Sequence, residues 1–458
     1  MNENCHPVFT YIEKNQRSFI DRLIEYLRMP SISAHGEGMT EVAQFLVGWL
    51  DKLGLDARLE TTNGWPLVLG RCVDIPGAIT VLLYGHYDVQ PPDPLDEWIS
   101  PPFEPAIRDS RLYARGVGDN KGQHAAQLFA LESLLACHGK LPCNVVVLLE
   151  GEEEVGSPNL PIFISQNKDQ LHADLVIISD GPVHVSGRST LEFGVRGVAS
   201  FELRAHDANQ DLHSGNWGGV APNPLWTLVH LLATMKNEQG EITIDGFYEN
   251  VQPPTTLERK ALDELPVDVD AVQRELGLVH LDAPFDRPFY ERLALWPTLT
   301  INGLHGGYSG PGSKTVIPHE AMVKCDVRLV EAQSVEEIFA KIKAHVKRFA
   351  PEVDFIPQGG SNPSKTPLDS LYTQPIQQGI ISAQGEEPLL IPAMGGSLPI
   401  DVFTKTLGLP TFVVPYANAD EANHAPNENM EIDRIIMGIK TGASILLQLG
   451  MINPHNST

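Results

Sequence analysis

An α/β fold carrying an α+β insertion is predicted by three features of this 458-residue chain. Dense β-branched runs recur toward both ends and each stops at polar residues, as strands buried on both faces of a helix-covered sheet do. Stretches with helical spacing of apolar residues fit between those runs. The middle of the chain instead alternates apolar and polar residues, the pattern of half-exposed strands.

In chain order, the first element is a helix over 11–28 with an apolar stripe of Ile12, Phe19, Leu23, Ile24 and Leu27. A second helix covers 39–53 and ends at Gly54. Strands are predicted at 79–84, before Gly85-His86-Tyr87-Asp88, and at 145–149, before Glu150 and Glu152-Glu153-Glu154, with a helix over 123–137 between them. Two further strands cover 175–178, before Asp180, and 411–414, before the loop that ends at His424; a helix over 432–449 follows. In such sheets ligands gather beyond the carboxyl ends of the strands.

Alternating stretches at 199–204 and 322–329, with helices at 223–236 and 334–349, predict a sheet covered on one face. Gly359-Gly360-Ser361-Asn362-Pro363 reads as an exit linker. The predicted organisation is therefore 1–194 and 366–458 as two parts of the α/β domain, with 195–365 inserted. Residues 238–290 are polar, Pro-rich and poorly periodic, and predict a long excursion of unassigned structure.

Composition narrows the function. Hydrophobic residues make up 42%, enough for a sizeable core, and the formal charge of −25 is spread along the chain. A polyanion would be repelled, which argues against nucleic acid, while cations are attracted. No apolar run approaches the ~18–20 residues of a membrane span. The N-terminus MNENCHPVFTYIEKNQRSFI shows no secretory pattern. Five cysteines without CxxC spacing suit reduced thiols in a cytoplasm and argue against a disulfide scaffold or a thiolate zinc site.

Each strand end delivers His, Asp or Glu. A hydrolytic two-metal centre needs a bridging carboxylate, further His and carboxylate ligands, and a free carboxylate as base. The candidates are His86, Asp119, Glu153, Glu154, Asp180 and His424. Asp88 lies two residues from His86 on the same strand face and is placed to accept its second ring N–H. Asp119 sits in Arg115-Gly116-Val117-Gly118-Asp119-Asn120-Lys121-Gly122, a glycine-rich turn entering a helix. A charge run such as Glu152-Glu153-Glu154 is ordinarily a solvated face. Directly after a buried strand, one of its carboxylates can ligate while its neighbour serves as base.

Together these segments resemble the carnosinase/aminoacylase family of dinuclear metallopeptidases, with the strongest similarity to cytosolic nonspecific dipeptidases. The resemblance rests on Tyr84–Pro91, Trp98, Pro102-Phe103, Leu112–Gly116, Asp119–Gly122 and Gly151–Ser157. It continues through Ile178-Ser179-Asp180, Asp211–Gly215, Gly312–Pro318, Gly395-Gly396-Ser397 and His424. It implies a catalytic domain with a mainly parallel sheet, and a lid and dimerisation role for the inserted domain. One metal would be held by His86 and Asp180 and the other by Glu154 and His424, with Asp119 bridging.

The resemblance further implies Glu153 as general base, Asp88 as the orienter of His86, and a cis peptide after Asp119. His213, Thr315, Arg328 and Ser397 match positions that contact substrate. His213 suits an oxyanion donor supplied by the neighbouring subunit of a homodimer, and Arg328 suits a terminal carboxylate. The ligands suit zinc or manganese, with cobalt as a substitute in vitro. The implied reaction is hydrolysis of dipeptides by a water held between two divalent ions, in a cleft between the domains. Three alternatives stand beside it: a deacylase of N-acyl amino acids, a non-catalytic binding protein on the same fold, and a structural oligomer with merely superficial acidic clusters. Which of the paired glutamates is base and which is ligand stays open by one residue, with the spacing to Gly156-Ser157 favouring Glu153.

Overall fold

The computed structural model of the protein describes residues 5–282, 287–396 and 398–452. They form two compact units: the first comprises residues up to Gly194, Thr366–Ile391 and those from Val402 on, the second Val195–Lys365 and Pro392–Asp401.

The first unit is built on an eight-stranded sheet in the order Asp56–Glu60, Leu67–Cys72, Asn144–Glu150, Thr80–His86, Leu175–Ile178, Thr411–Val413, Thr190–Glu192, Leu389–Ile391. Its four central strands run parallel. Every residue of TVLLYGH and of NVVVLLE is buried, because helices cover both faces of this sheet. The register decides where the site lies. Tyr84 stands level with Leu148 on one neighbour and Ile178 on the other, and His86 stands opposite Glu150. The carboxyl ends of three strands therefore coincide, and the polar residues that follow each of them emerge at one sheet edge.

Helices Cys5–Leu27, Met39–Lys52, Lys121–His138 and Ile432–Leu449 supply most of the core, with Phe19 against Phe129 at 4.7 Å between ring centres. Lys121–His138 is buried almost all round, as the central helix of the layer. The first helix begins at Cys5 rather than at 11, since Cys5, Val8 and Phe9 extend the apolar stripe backward. The strand expected over 79–84 continues through His86, so the histidine is a strand residue held by the ladder.

The second unit has an antiparallel four-stranded sheet in the order Thr298–Gly306, Glu320–Leu329, Gly197–His206, Asp354–Ser361. Burial alternates along Glu320–Leu329, and Phe201, Leu203, Val323 and Cys325 share one core with Leu228 and Ile342 of helices Pro224–Met235 and Val335–Phe349.

Two expectations need correction. Gly359-Gly360-Ser361 is not a linker but the end of the edge strand Asp354–Ser361, paired with Val198–Ser200. The register slips between Ser200 and Phe201, and glycine suits a strand at such an irregularity. Pro392–Asp401 clusters with the second unit instead of the resumed α/β part. The Arg196 N–H donates to Met394 O at 3.2 Å, and Val195 bridges Met394. Among the described residues the excursion at 238–290 carries the helices Thr256–Glu264 and Val269–Leu276 and the start of Phe289–Ala294, the first opened by a reciprocal Thr255–Glu258 cap and the second by the Asp268 side chain. No described helix is long and apolar enough to cross a membrane.

Candidate metal centre

Seven side chains converge at the carboxyl edge of the first unit's sheet. His86 closes its strand fully buried, with Nε2 3.0 Å from Asp119 Oδ1 and 3.6 Å from Asp180 Oδ2. His424 Nε2 lies 3.0 Å from Asp119 Oδ2 and 3.1 Å from Glu154 Oε2. Asp119 thus turns one oxygen to each imidazole. His86, Asp119 and Asp180 form one group of potential ligands, and Asp119, Glu154 and His424 form another; within each, the ligand atoms lie within 4.8 Å of one another.

The local backbone explains the convergence. Glu428, fully buried, accepts from the N–H groups of Gly116, Gly118 and Asp119 at 2.9, 2.9 and 3.1 Å, and from Arg115 Nη1 at 2.8 Å. The turn carrying Asp119 is therefore wrapped around one carboxylate. Gly118 leaves room for the Glu421 carboxylate, which a Cβ there would meet at 2.2 Å from Oε2 and so displace. The Asp119–Asn120 peptide is cis. Asn120 reaches both flanking strands, with Oδ1 accepting from the His86 N–H at 3.3 Å and Nδ2 donating to Ser179 O at 2.6 Å. His424 takes a left-handed backbone (φ 56°), an uncommon conformation for a residue with a Cβ.

Asp88 acts twice. Its Oδ1 is 3.3 Å from His86 Nδ1, which also lies 3.1 Å from the Asp88 backbone carbonyl. Its two oxygens accept the backbone N–H groups of Glu153 and Glu154 at 3.3 and 3.0 Å. Those glutamates open the short helical turn Glu153–Val155, and Gln90 Nε2 donates to Glu154 Oε2 at 2.9 Å. Glu153 belongs to neither group of ligands.

The electrostatics call for positive charge. Burial presses the His86 imidazole toward neutrality, yet the carboxylates of Asp119, Asp180 and Asp88 outweigh it and carry its pKa well above the usual value. Hydrogen bonds to Asp119 and Glu154 push His424 up to about 10. Burial opposes the Asp119 charge, but the two imidazoles hold its carboxyl well below the ordinary carboxylate range. Glu153 is raised well above the ordinary value by burial foremost; the His86 charge opposes this, and the carboxylates of Asp180, Asp119 and Glu154 add to it. Glu154 is raised as well, again mainly by burial.

These residues fit a pair of divalent cations. His86 Nε2 is buried and has no aligned hydrogen-bond partner among the described residues, although carboxylate oxygens surround it. That is the setting of a lone pair turned toward a cation while Nδ1–H is held from behind. Imidazole and carboxylate are also the ligand types such ions take.

The remaining sequence-derived candidates lie in the second unit or outside the description. His213 and Thr315 are exposed neighbours, with His213 Nε2 3.5 Å from Thr315 Oγ1, because Leu212-His213 pairs with Val316-Ile317. Arg328 is half-buried, its Nε 3.6 Å from Asp326. Ser397 lies outside the described residues. Sequence reasoning missed Glu428 and Glu421. Both carboxylate oxygens of Glu421 are buried without a hydrogen-bond partner among the described residues, and burial, ahead of Asp119, Glu428 and Asp180, raises its pKa well above the ordinary value. Nothing local marks either residue, since their significance comes from partners about 300 positions away.

The comparisons agree with this geometry. The profile described as peptidase family M20/M25/M40 matches residues 82–448. The Cys-Gly metallodipeptidase DUG1 of Candida albicans is 30% identical over 95% of this chain and 95% of its own. The Beta-Ala-His dipeptidase of Homo sapiens is 28% identical over 97% of this chain and 93% of its own. The crystal structure of the M20 family metallo-carboxypeptidase Sso-CP2 from Sulfolobus solfataricus superposes with a TM-score of 0.87 at 36% identity, covering 95% of this chain and 99% of that one. The chain, whose two groups of potential cation ligands share Asp119, belongs to peptidase family M20/M25/M40 and is a metallopeptidase.

Proposed function

We propose that the protein is a dipeptidase that hydrolyses short peptides with a free C-terminal carboxylate. The observation that carries this reading is the shared Asp119 between two ligand groups, with Glu153 left outside both. The extent of similarity to the Cys-Gly and Beta-Ala-His dipeptidases, nearly end to end, supports the substrate class.

In this reading His86, Asp119 and Asp180 hold one divalent cation and Asp119, Glu154 and His424 the other, with zinc or manganese suiting the ligands. When bound, such ions polarise the scissile carbonyl and lower the pKa of water from ~15.7 toward ~7. Glu153 accepts the proton of the attacking water and returns it to the leaving amine, one carboxylate serving both halves of the reaction. Asp88 keeps the His86 tautomer fixed and holds the turn that presents Glu153. His213 donates to the developing oxyanion from the partner protomer of a homodimer. Arg328 takes the substrate's terminal carboxylate, and the family resemblance adds Thr315 and Ser397 as further substrate contacts. The edge strand Thr298–Gly306, with exposed Ile301 and Leu304, supports self-association through the inserted unit. Five unpaired cysteines support a reducing, cytoplasmic setting.

A second reading, carboxypeptidase action on longer peptides, is favoured by the 36% identity to Sso-CP2. A manganese- and zinc-supplemented screen of dipeptides, tripeptides, longer peptides and N-acyl amino acids separates them. Turnover concentrated on free-terminus dipeptides is expected. Preference for longer chains establishes the second reading, and activity confined to N-acyl amino acids overturns both.

A further inference from the structure

We infer that Gln123 is a positioning residue for the cation pair: its buried amide ties the peptide that carries Asp119 to the strand end that carries Asp180. The inference rests on the reading in which His86, Asp119 and Asp180 hold one cation and Asp119 is shared with the other.

Gln123 is fully buried in the first turn of helix Lys121–His138. Its Nε2 donates to Gly118 O at 2.8 Å and to Gly181 O at 3.0 Å. Its Oε1 accepts the Tyr416 N–H at 2.7 Å, where the chain has left the strand Thr411–Val413 on its way to His424. Two carbonyls on one side and an N–H on the other leave the amide a single orientation. Backbone segments 5, 58 and 293 positions away therefore meet on one side chain.

Two of these bonds lie one step from a ligand. The Gly118 carbonyl belongs to the same planar peptide as the Asp119 N–H, which donates to Glu428 Oε1 at 3.1 Å. Both ends of that plane are pinned, by Gln123 and by Glu428, so the place from which Asp119 projects is fixed. Gly181 in turn donates its N–H to Asp180 Oδ1 at 2.7 Å, and Asp180 Oδ2 lies 3.6 Å from His86 Nε2. Holding Gly181 therefore aims the Asp180 carboxylate, and one amide sets the spacing of two ligands.

The same helix face supports the remaining strand ends. Asn120, His124 and Gln127 share it at spacings of three and four, and all are buried. Gln127 Nε2 donates to Ser179 Oγ at 2.9 Å. His124 Nδ1 lies 3.2 Å from Asn120 Oδ1, the atom that accepts the His86 N–H. Buried polar groups are costly unless bonded. Here their partners surround His86, Asp119 and Asp180, so the face acts as a frame for ligand placement.

The test strips the full-length protein with a chelator and titrates it with manganese, beside Gln123→Met and Gln123→Asn. Q123M keeps the length of the side chain and removes all three bonds. At least one of the two manganese-binding steps is expected to weaken about tenfold or more, the lower end of what losing a supporting group costs. At saturating manganese, the electron paramagnetic resonance of the coupled pair is expected to change too, because the spacing of Asp119 and Asp180 is released. Q123N, whose amide is one methylene shorter, is expected to fall between in affinity. Weaker binding with an unaltered spectrum at saturation marks a merely structural role and overturns the inference, as does wild-type affinity at both steps. Should Q123M not fold, Q123N with wild-type affinity or an unaltered spectrum overturns it equally. A wild type that binds fewer than two manganese ions per chain removes the two-cation reading and the inference with it. Two ions in the wild type with no change in the variants remove the inference alone.

Discussion

The carboxylate of Asp88 accepts the backbone N–H of Glu154 at 3.0 Å, so the strand end bearing His86 and the turn bearing the paired glutamates form one hydrogen-bonded piece. The same carboxylate also faces His86 Nδ1 at 3.3 Å. Asp88 therefore couples one ligand of each proposed cation.

Removing that coupling has a measurable consequence. Asp88→Ala is expected to weaken cation binding about 10–100-fold, the usual effect of losing the group behind a ligating histidine. Both cations should be affected, since the Glu154 turn is released together with His86. Competition with a calibrated chelator measures this, and loss at one site only shows that the turn is held by other means.

The glutamate pair separates by role. Glu153→Gln is expected to retain two cations per chain while turnover falls about 10²–10⁴-fold, the range for a lost general base. Glu154→Gln is expected to lose cation occupancy first. Metal analysis beside turnover distinguishes them, and the reverse pattern exchanges the two assignments.

Cation binding is expected to strengthen with rising pH. In the cation-free protein His424 titrates near 10 because Asp119 and Glu154 hold its proton. Its folded pKa stands above the unfolded value of about 6.5, so its contribution to stability is complete below that pH and is lost as pH rises toward about 10. A cation must displace this proton, and the competition eases over the same window. Calorimetry in buffers of different ionisation enthalpy should show at least one proton released per chain near pH 7. A proton count of zero contradicts the ligand role of His424.

Glu421 is expected to destabilise the cation-free protein. Its oxygens are buried without hydrogen-bond partners among the described residues, and its pKa is raised chiefly by burial. A carboxyl raised in the folded state loses stability as pH climbs past its unfolded value of about 4.3, so the penalty grows from pH 5 to pH 8. Glu421→Gln should stabilise the chelator-treated protein at pH 8, and by less at pH 5. Urea denaturation at the two pH values measures it; equal gains show that ionisation is not the cause.

Should His213 act across a dimer, mixing inactive His213→Ala protomers with inactive Glu153→Ala protomers is expected to restore part of the activity. Heterodimers that form and stay inactive remove His213 from the neighbour's site.

Much of this was readable before any coordinates. His86, Asp119, Glu153, Glu154, Asp180 and His424 are legible as candidates because they lie at strand ends, in a glycine-rich turn or at the end of the loop after the last strand, whereas their division into ligands and base is implied only by the family resemblance. The helices at 223–236 and 334–349 were visible in their spacing. Within 238–290, Thr255 and Glu258 form a reciprocal cap whose Thr-x-x-Glu pattern was legible, but the Pro-rich surroundings masked it. Gly359-Gly360 misled in the other direction, since glycines of a linker and of an irregular edge strand look alike in one dimension.

By itself the sequence determined the periodicities: which segments are strands buried on both faces, which are amphipathic, and which polar residues terminate them. Tertiary structure alone decided how Glu428 wraps the Asp119 turn, how Asp88 serves both His86 and Glu154, and why Pro392–Asp401 goes with Arg196. The physical reason is range. Local spacing is written by side-chain burial every two or 3.6 residues, whereas a hydrogen bond spanning 312 positions, such as Gly116 to Glu428, follows no period and exists only once the chain has closed on itself.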